Sequence, residues 1–428
     1  MVLREIATKQ SGINYEELVL EDRVHSSIFT RPEIFEEELV KIFNRSWAYI
    51  AHASEMPEPG DYVTRIIGRT PVIASRGENG QIHVLVNRCR HRGAAVCQYD
   101  SGNSMFFTCP YHGFTYACSG ELVGIPRSEA YDESMTEEVK GLVPLPRVDI
   151  YRGFIFASLS AEGPSLDEHL GEPCKRMIDI FCDASPMGEI ELRAGVQKHA
   201  YHGNWKQVGM DGYHPFIVHQ SFFEAKSTAA KSGQRTSRRT FTRDLGNGHV
   251  MLDLRPGGGT LGALGRAANE PWFPEYLASL ERAHGKERAQ EIISCGGDPH
   301  MHVYPNMQIV DAHIRVMQPV SADETIIYMY PALLKGVPDE LNEMRLRIHE
   351  DFYGPASGGN PDDYEVFERT QLGMMAEVNP WIILKRGLHT QWREQEEAAT
   401  LGCIVGDAGD EVTQRGQFKR WKQDMLQP

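Results

Sequence analysis

Cys89-Arg-His91, then seventeen residues, then Cys109-Pro-Tyr-His112 constrain this 428-residue chain more than any other feature. Each Cys is closely followed by its own His, so two short loops each present one thiolate and one imidazole. Soft sulfur combined with borderline nitrogen suits zinc or an iron–sulfur cluster. A structural Cys2His2 zinc site ordinarily takes both Cys first and both His afterwards, and the interleaved order here argues against it. A [2Fe-2S] cluster with two thiolates on one iron and two imidazoles on the other accounts for the order. Gly lies just after each His in Asn87-Arg-Cys-Arg-His-Arg-Gly93 and in Cys109-Pro-Tyr-His-Gly-Phe-Thr-Tyr116. Chain reversal beside a cluster requires positive φ and close backbone approach there.

This is the Rieske pattern, with a reduction potential of roughly −150 to +300 mV against about −400 mV for an all-Cys plant-type cluster. The cluster is therefore a one-electron relay. A relay alone does not need 428 residues, and a second motif shows where the electron goes. In Asn204-Trp205-Lys206-Gln207-Val-Gly-Met-Asp211-Gly-Tyr213-His214-Pro-Phe-Ile-Val-His219, two imidazoles stand five apart. On a helix Asp211 and His214 share a face, and a loosened turn accommodates His219. Two imidazoles and one carboxylate form a facial triad that leaves positions open on non-haem Fe(II). Asp211 is better placed to take the second ring proton of His214 than to be the third ligand. Asp362 and Asp363, at the end of the Gly/Pro-rich run from Gly354, are the better carboxylates, although an Asp there can also be a helix N-cap.

With both motifs in hand, the chain resembles the large (alpha) subunit of Rieske non-haem iron aromatic-ring-hydroxylating oxygenases, nearest the benzoate and anthranilate type. The resemblance runs from Ile42-Phe-Asn-Arg-Ser-Trp47 through Asp363. It implies that Cys89, His91, Cys109 and His112 bind the cluster and that His214, His219 and Asp363 bind the mononuclear iron. It further implies that Asp211 bridges His214 to His112 of a neighbouring subunit. Gln207 replaces the Asn of many relatives, and Gly359 the pocket Trp of some. Respiratory Rieske proteins carry two additional Cys in a disulfide, one of them where Tyr111 stands, so Cys97 and Cys118 read as thiols.

The sequence pattern predicts an α+β chain in three parts. Residues 1–45 form a helical segment packing with the catalytic domain, with Ile34, Phe35, Leu39, Ile42 and Phe43 on one stripe. Residues 46–160 show short alternating runs, Tyr62 to Ile67, Pro71 to Ser75, Ile82 to Val86 and Gly153 to Ser158, as expected of an all-β Rieske domain. Residues 161–428 mix helices with apparent strands Met307 to Met317 and Glu324 to Tyr330, suiting an antiparallel sheet wrapped round a long helix. The polar stretch Lys226 to Gly259, with Arg243 among its charges, reads as a solvated surface, with a lid as the alternative. His199, His202, His302 and His313 read as hydrogen-bonded structural residues, and Trp205 as core packing.

A net charge of −15 does not fit a nucleic-acid binder, and no apolar run is long enough to span a membrane. Eight Cys fit a reducing, cytoplasmic setting. As the resemblance implies, electrons from NADH or NADPH are expected through a separate reductase, with or without a ferredoxin. The resemblance implies O2-dependent hydroxylation of an aromatic substrate and a head-to-tail homotrimer, with or without a small beta subunit. By family position Val208, Pro215 and Tyr353 are pocket residues. Ile309, Asp311, His313, Arg315 and Met317 share one face if their strand is regular, and Arg315 either clamps a substrate carboxylate or pairs with Asp311. An aromatic carboxylate is the expected substrate. A Rieske monooxygenase or demethylase, and more remotely a pure electron-transfer protein, are the alternatives.

Overall fold

A computed structural model describes residues 12–132, 139–210, 240–255, 263–295, 299–395 and 401–427. The chain divides into two compact units, one including Phe43–Leu166 and the other including Ala7–Ile42 with Asp167–Pro428.

The first unit is all-β apart from short turns. A three-stranded sheet orders Arg147–Tyr151, Phe154–Ser158 and Ala48–His52, and a four-stranded sheet orders Ile82–Val86, Thr70–Arg76, Asp61–Ile67 and Ser101–Asn103. A third sheet, Phe106–Thr108, Thr115–Ala117 and Leu122–Gly124, is antiparallel like the others. The β-branched Val72, Ile73 and Val84 are buried together with Leu85. Tyr62, Ile73, Leu85, Phe107, Phe114 and Tyr116 form one core with Cys89 and Cys109.

In the second unit a nine-stranded antiparallel sheet dominates. Its order is Gln197–Tyr201, Glu324–Pro331, His313–Ser321, Met307–Val310, His300–Val303, His249–Asp253, Phe241–Gly246, Ile404–Asp407 and Trp392–Arg393. The helix Val412–Leu426 packs on the strands Phe241–Gly246 and His249–Asp253 and buries Phe418 and Trp421. The expected stripe Ile34, Phe35, Leu39, Ile42 and Phe43 is buried, but only Pro32–Glu38 is α-helical and Leu39–Phe43 winds as a π-helix.

Three expectations need correction. Met307 to Met317 is not one strand: it folds back at Asp311 and Ala312, pairing Val310 with His313 and Gln308 with Arg315. Asp311 takes φ +48°, a left-handed conformation that Asp tolerates better than most residues. Ile309 and Asp311 therefore do not continue the face of His313, Arg315 and Met317. Asp362 and Asp363 are not N-caps either, because Gly359 holds that position and both lie in the first turn of the helix Asn360–Met374. Part of the supposed solvated stretch is the hairpin Phe241–Gly246 and His249–Asp253, in which Arg243 is buried and paired with Asp253 and Glu394.

Candidate functional site

The two motif loops of the first unit are near copies of each other. Cys89 N donates to Ala94 O (2.8 Å) and Gly93 N to Cys89 O (3.0 Å), while Cys109 N donates to Phe114 O (2.8 Å) and Gly113 N to Cys109 O (3.0 Å). Gly93 and Gly113 take φ +80° and +75°, and a Cβ at Gly113 would lie 2.9 Å from Pro126. The first loop is locked from below by Asn87, whose side chain accepts from Val96 N and Cys97 N and donates to Cys97 O. The rings of His91 and His112 meet edge to face at 4.6 Å, and His91 is stacked on Phe114 at 4.8 Å.

Electrostatics separate Cys89 from Cys97. Burial works against ionisation of Cys89, but hydrogen bonds from the Tyr116 hydroxyl, from backbone N–H groups of His91 and Arg92 and from Cys109 bring its thiol below the usual range. Cys97, with burial alone acting, is pushed up to about 12. His91 is lowered by burial and by His112 and Arg92, and its Nδ1 is buried with no partner among the described residues. Two thiols and two imidazoles converging, one imidazole with an orphaned ring nitrogen, fit a [2Fe-2S] cluster.

In the second unit the helix Lys206–Met210 leads into the His214 motif. Its start is anchored by a buried group: Lys206 Nζ donates to Glu38 Oε1 (2.5 Å), Trp205 Nε1 to Glu38 Oε2 (2.8 Å) and Trp421 Nε1 to Glu38 Oε1 (2.6 Å). Neither Lys206 nor Glu38 has exposed side-chain surface. Burial lowers the pKa of Lys206, and Glu38 opposes that shift. Asn204 Nδ2 donates to Ala322 O, and Gln308 Nε2 to Val208 O. Gln207 donates to Phe367 O on the helix that carries Asp363.

Asp211, His214, Pro215 and His219 lie outside the described residues. Asp363 is buried in the first turn of the helix Asn360–Met374, where the helix dipole favours a carboxylate. It lies within electrostatic reach of Tyr353. Val208 and Tyr353 belong to one apolar cluster with Val310, Met317, Ile327, Met329, Tyr364 and Phe367. A Cβ at Gly359 would lie 2.6 Å from the Phe352 ring, which therefore occupies the space a larger residue would need. Arg315, only 4% exposed, donates to Asn360 Oδ1 (3.0 Å) and to Gln308 Oε1 (3.5 Å). Asp311, its expected partner, instead accepts from the Tyr353 hydroxyl at 2.5 Å.

Residues 46–145 match the family model of the Rieske [2Fe-2S] domain. The chain is 31% identical to the anthranilate 1,2-dioxygenase large subunit of Acinetobacter baylyi, over 94% of this chain and 89% of that protein. It is 30% identical to the 2-halobenzoate 1,2-dioxygenase large subunit of Burkholderia cepacia, with the same two coverages of 94% and 89%. The chain belongs to the large subunits of Rieske-type aromatic-ring-hydroxylating dioxygenases. It is the oxygenase component of such a system and carries a [2Fe-2S] cluster in its first unit. The toluate 1,2-dioxygenase alpha subunit of Pseudomonas putida is 33% identical over 86% of this chain and 84% of that one. Among solved structures, naphthalene 1,2-dioxygenase with indole in its active site matches with a TM-score of 0.83 at 25% identity, covering 96% of this chain and 95% of that chain.

Several residues of this dioxygenase subunit that bear on the site are not apparent from its motifs. Tyr116 sits at the end of the second motif, yet its contact with Cys89 Sγ at 3.3 Å depends on the fold. His349, Asn360 and Gln308 come together around Arg315 and His313 from a π-helical turn, a helix start and a neighbouring strand. No local pattern marks them. No described helix is long and apolar enough to cross a membrane.

Proposed function

We propose that this dioxygenase subunit hydroxylates an aromatic carboxylate and that Arg315 holds the carboxylate. The observation that carries the reading is the state of Arg315: a buried guanidinium, tethered by two neutral amides, with no carboxylate partner among the described residues. A buried unpaired cation is costly, and a ligand anion relieves that cost through the planar fork of the guanidinium. Arg315 lies over the ring of Tyr353 at 5.8 Å, beside the apolar cluster suited to an aromatic ring. Relatives named for anthranilate, 2-halobenzoate and toluate support the same substrate class.

In this reading Cys89, His91, Cys109 and His112 hold the cluster, and His214, His219 and Asp363 hold a mononuclear non-haem iron, a donor set suited to Fe(II) with open positions. The chemistry supplied when both are bound is one-electron delivery by the cluster and O2 activation by the iron. Arg315 orients the ring, the apolar cluster excludes water, and Asp211 fixes the tautomer of His214 while bridging to His112 of the adjacent subunit. A head-to-tail homotrimer, with or without a small beta subunit, supplies that neighbour. A reductase, with or without a ferredoxin, supplies electrons from NADH or NADPH, and the setting is cytoplasmic.

The test is turnover of benzoate-type acids and their carboxamides by the holoenzyme with a surrogate reductase under labelled O2. The acids should be favoured, with both labelled oxygen atoms in the product, and Arg315→Met should abolish the preference for acid over amide. Equal turnover of acid and amide by the unaltered enzyme would overturn the reading.

A further inference from the structure

His313 stands two positions before Arg315 on the same strand face, and its ring is wholly buried. It packs 4.7 Å from the ring of His349 and 4.5 Å from that of Tyr353. His349 and Tyr353 are the two ends of the π-helical turn His349–Tyr353, and their rings lie 6.2 Å apart at 27°. Turns of this kind cluster at functional sites. Four ring nitrogens, Nδ1 and Nε2 of both His313 and His349, have no hydrogen-bond partner among the described residues, and Arg315 Nε has none. Nearby, the Tyr353 hydroxyl is committed to Asp311 and each outer nitrogen of Arg315 gives one N–H to Asn360 or Gln308, while His199 Nε2 is likewise buried without a partner among the described residues.

A core retained for packing alone would favour Phe or Leu over two contacting imidazoles with unmet polar atoms. Burial, then the neighbouring His349 and Arg315, lowers the pKa of His313 well below its ordinary value. Burial, then Arg315 and His199, brings His349 down to about 4. Each ring is therefore neutral and presents one N–H and one lone pair. A carboxylate, which only accepts, would satisfy the N–H groups and leave both lone pairs unmet. A hydroxyl or amino group both donates and accepts.

We propose that His313 and His349 are specificity-determining residues that recognise a hydroxyl or amino substituent on the aromatic carboxylate whose acid group Arg315 holds. The inference rests on the carboxylate reading for the position of the acid group, but its own signature is separate. A site built to hydrogen-bond a substrate OH or NH strongly rejects the analogue that lacks it, because its own polar groups are then left unpaired.

The experiment measures kcat/KM of the holoenzyme, with a surrogate reductase, for benzoate and for its 2-, 3- and 4-hydroxy and amino derivatives. The best substituted acid should exceed benzoate by about 100-fold or more. In His313→Phe and His349→Phe, that ratio should fall below about 10-fold, while the melting temperature without substrate holds or rises because unmet polar atoms are removed. His349→Gln, which keeps a donor and an acceptor, should leave a ratio between those of the unaltered enzyme and His349→Phe, and it carries the test if the Phe variant does not fold. Equal kcat/KM for benzoate and its derivatives would overturn the proposal, as would a ratio that survives unchanged in the variants. If all benzoates are refused while phenols or anilines are preferred over their parent arenes and the Phe variants lose that preference, the carboxylate reading fails and this one stands.

Discussion

Tyr116→Phe should lower the reduction potential of the cluster. The Tyr116 hydroxyl lies 3.3 Å from Cys89 Sγ and accepts from the Arg90 backbone N–H at 3.1 Å. With that lone pair engaged, its own proton is directed at the sulfur. Reduction adds negative charge shared by the sulfurs, so the hydrogen bond strengthens in the reduced state and its loss destabilises that state more. A net hydrogen bond is worth about 0.5–1.5 kcal/mol. A tenfold change in a one-electron equilibrium, about 1.4 kcal/mol, corresponds to about 59 mV, so the expected fall is about 20–65 mV. Tyr116 is fully buried and Phe keeps its ring volume, so the perturbation is confined to the hydroxyl and to the Arg90 N–H left unpaired. A redox titration of the purified protein followed by visible circular dichroism measures the shift. A potential that is unchanged or higher would refute the reasoning.

His214→Ala or His219→Ala should remove the mononuclear iron and all turnover while the visible cluster spectrum stays intact, because the two sites use disjoint ligands; parallel spectral loss would count against the assignment. By metal analysis Asp363→Ala should lose that iron and Asp362→Ala should keep most of it, and the reverse ranking would mean a different register. Asp211→Asn should slow oxidation of a pre-reduced cluster by about 10 to 100-fold in rapid mixing with substrate and O2, whereas a residue that only packs would leave it near normal. Glu38→Gln strips buried Lys206 of its counter-charge and should cost about 3–5 kcal/mol in urea unfolding; a change under about 1 kcal/mol would show that the Trp205 and Trp421 contacts suffice.

Much of the first unit is legible because its constraints are local. The Cys–His spacings, the glycines after each His and the alternating runs such as Ile82 to Val86 each specify structure over a few residues. The second unit yields less. Met307 to Met317 contains no Gly or Pro to mark a turn, so the hairpin at Asp311 is invisible until Val310 is seen to pair with His313. Arg315 reads as one half of an ion pair because Asp311 is near in sequence; the fold gives Asp311 to Tyr353 and leaves Arg315 with neutral partners. Buried histidines such as His313 read as satisfied core residues, since the encounter with His349 spans thirty-odd residues and a π-helical turn.

The central claim is that this dioxygenase subunit combines a Rieske cluster with a separate mononuclear iron in one chain. Iron and acid-labile sulfide, measured together on the protein as purified under anaerobic reconstitution, test it most directly. About three irons for about two sulfides per chain are expected. About two irons for two sulfides, unchanged after incubation with excess Fe(II), would contradict it.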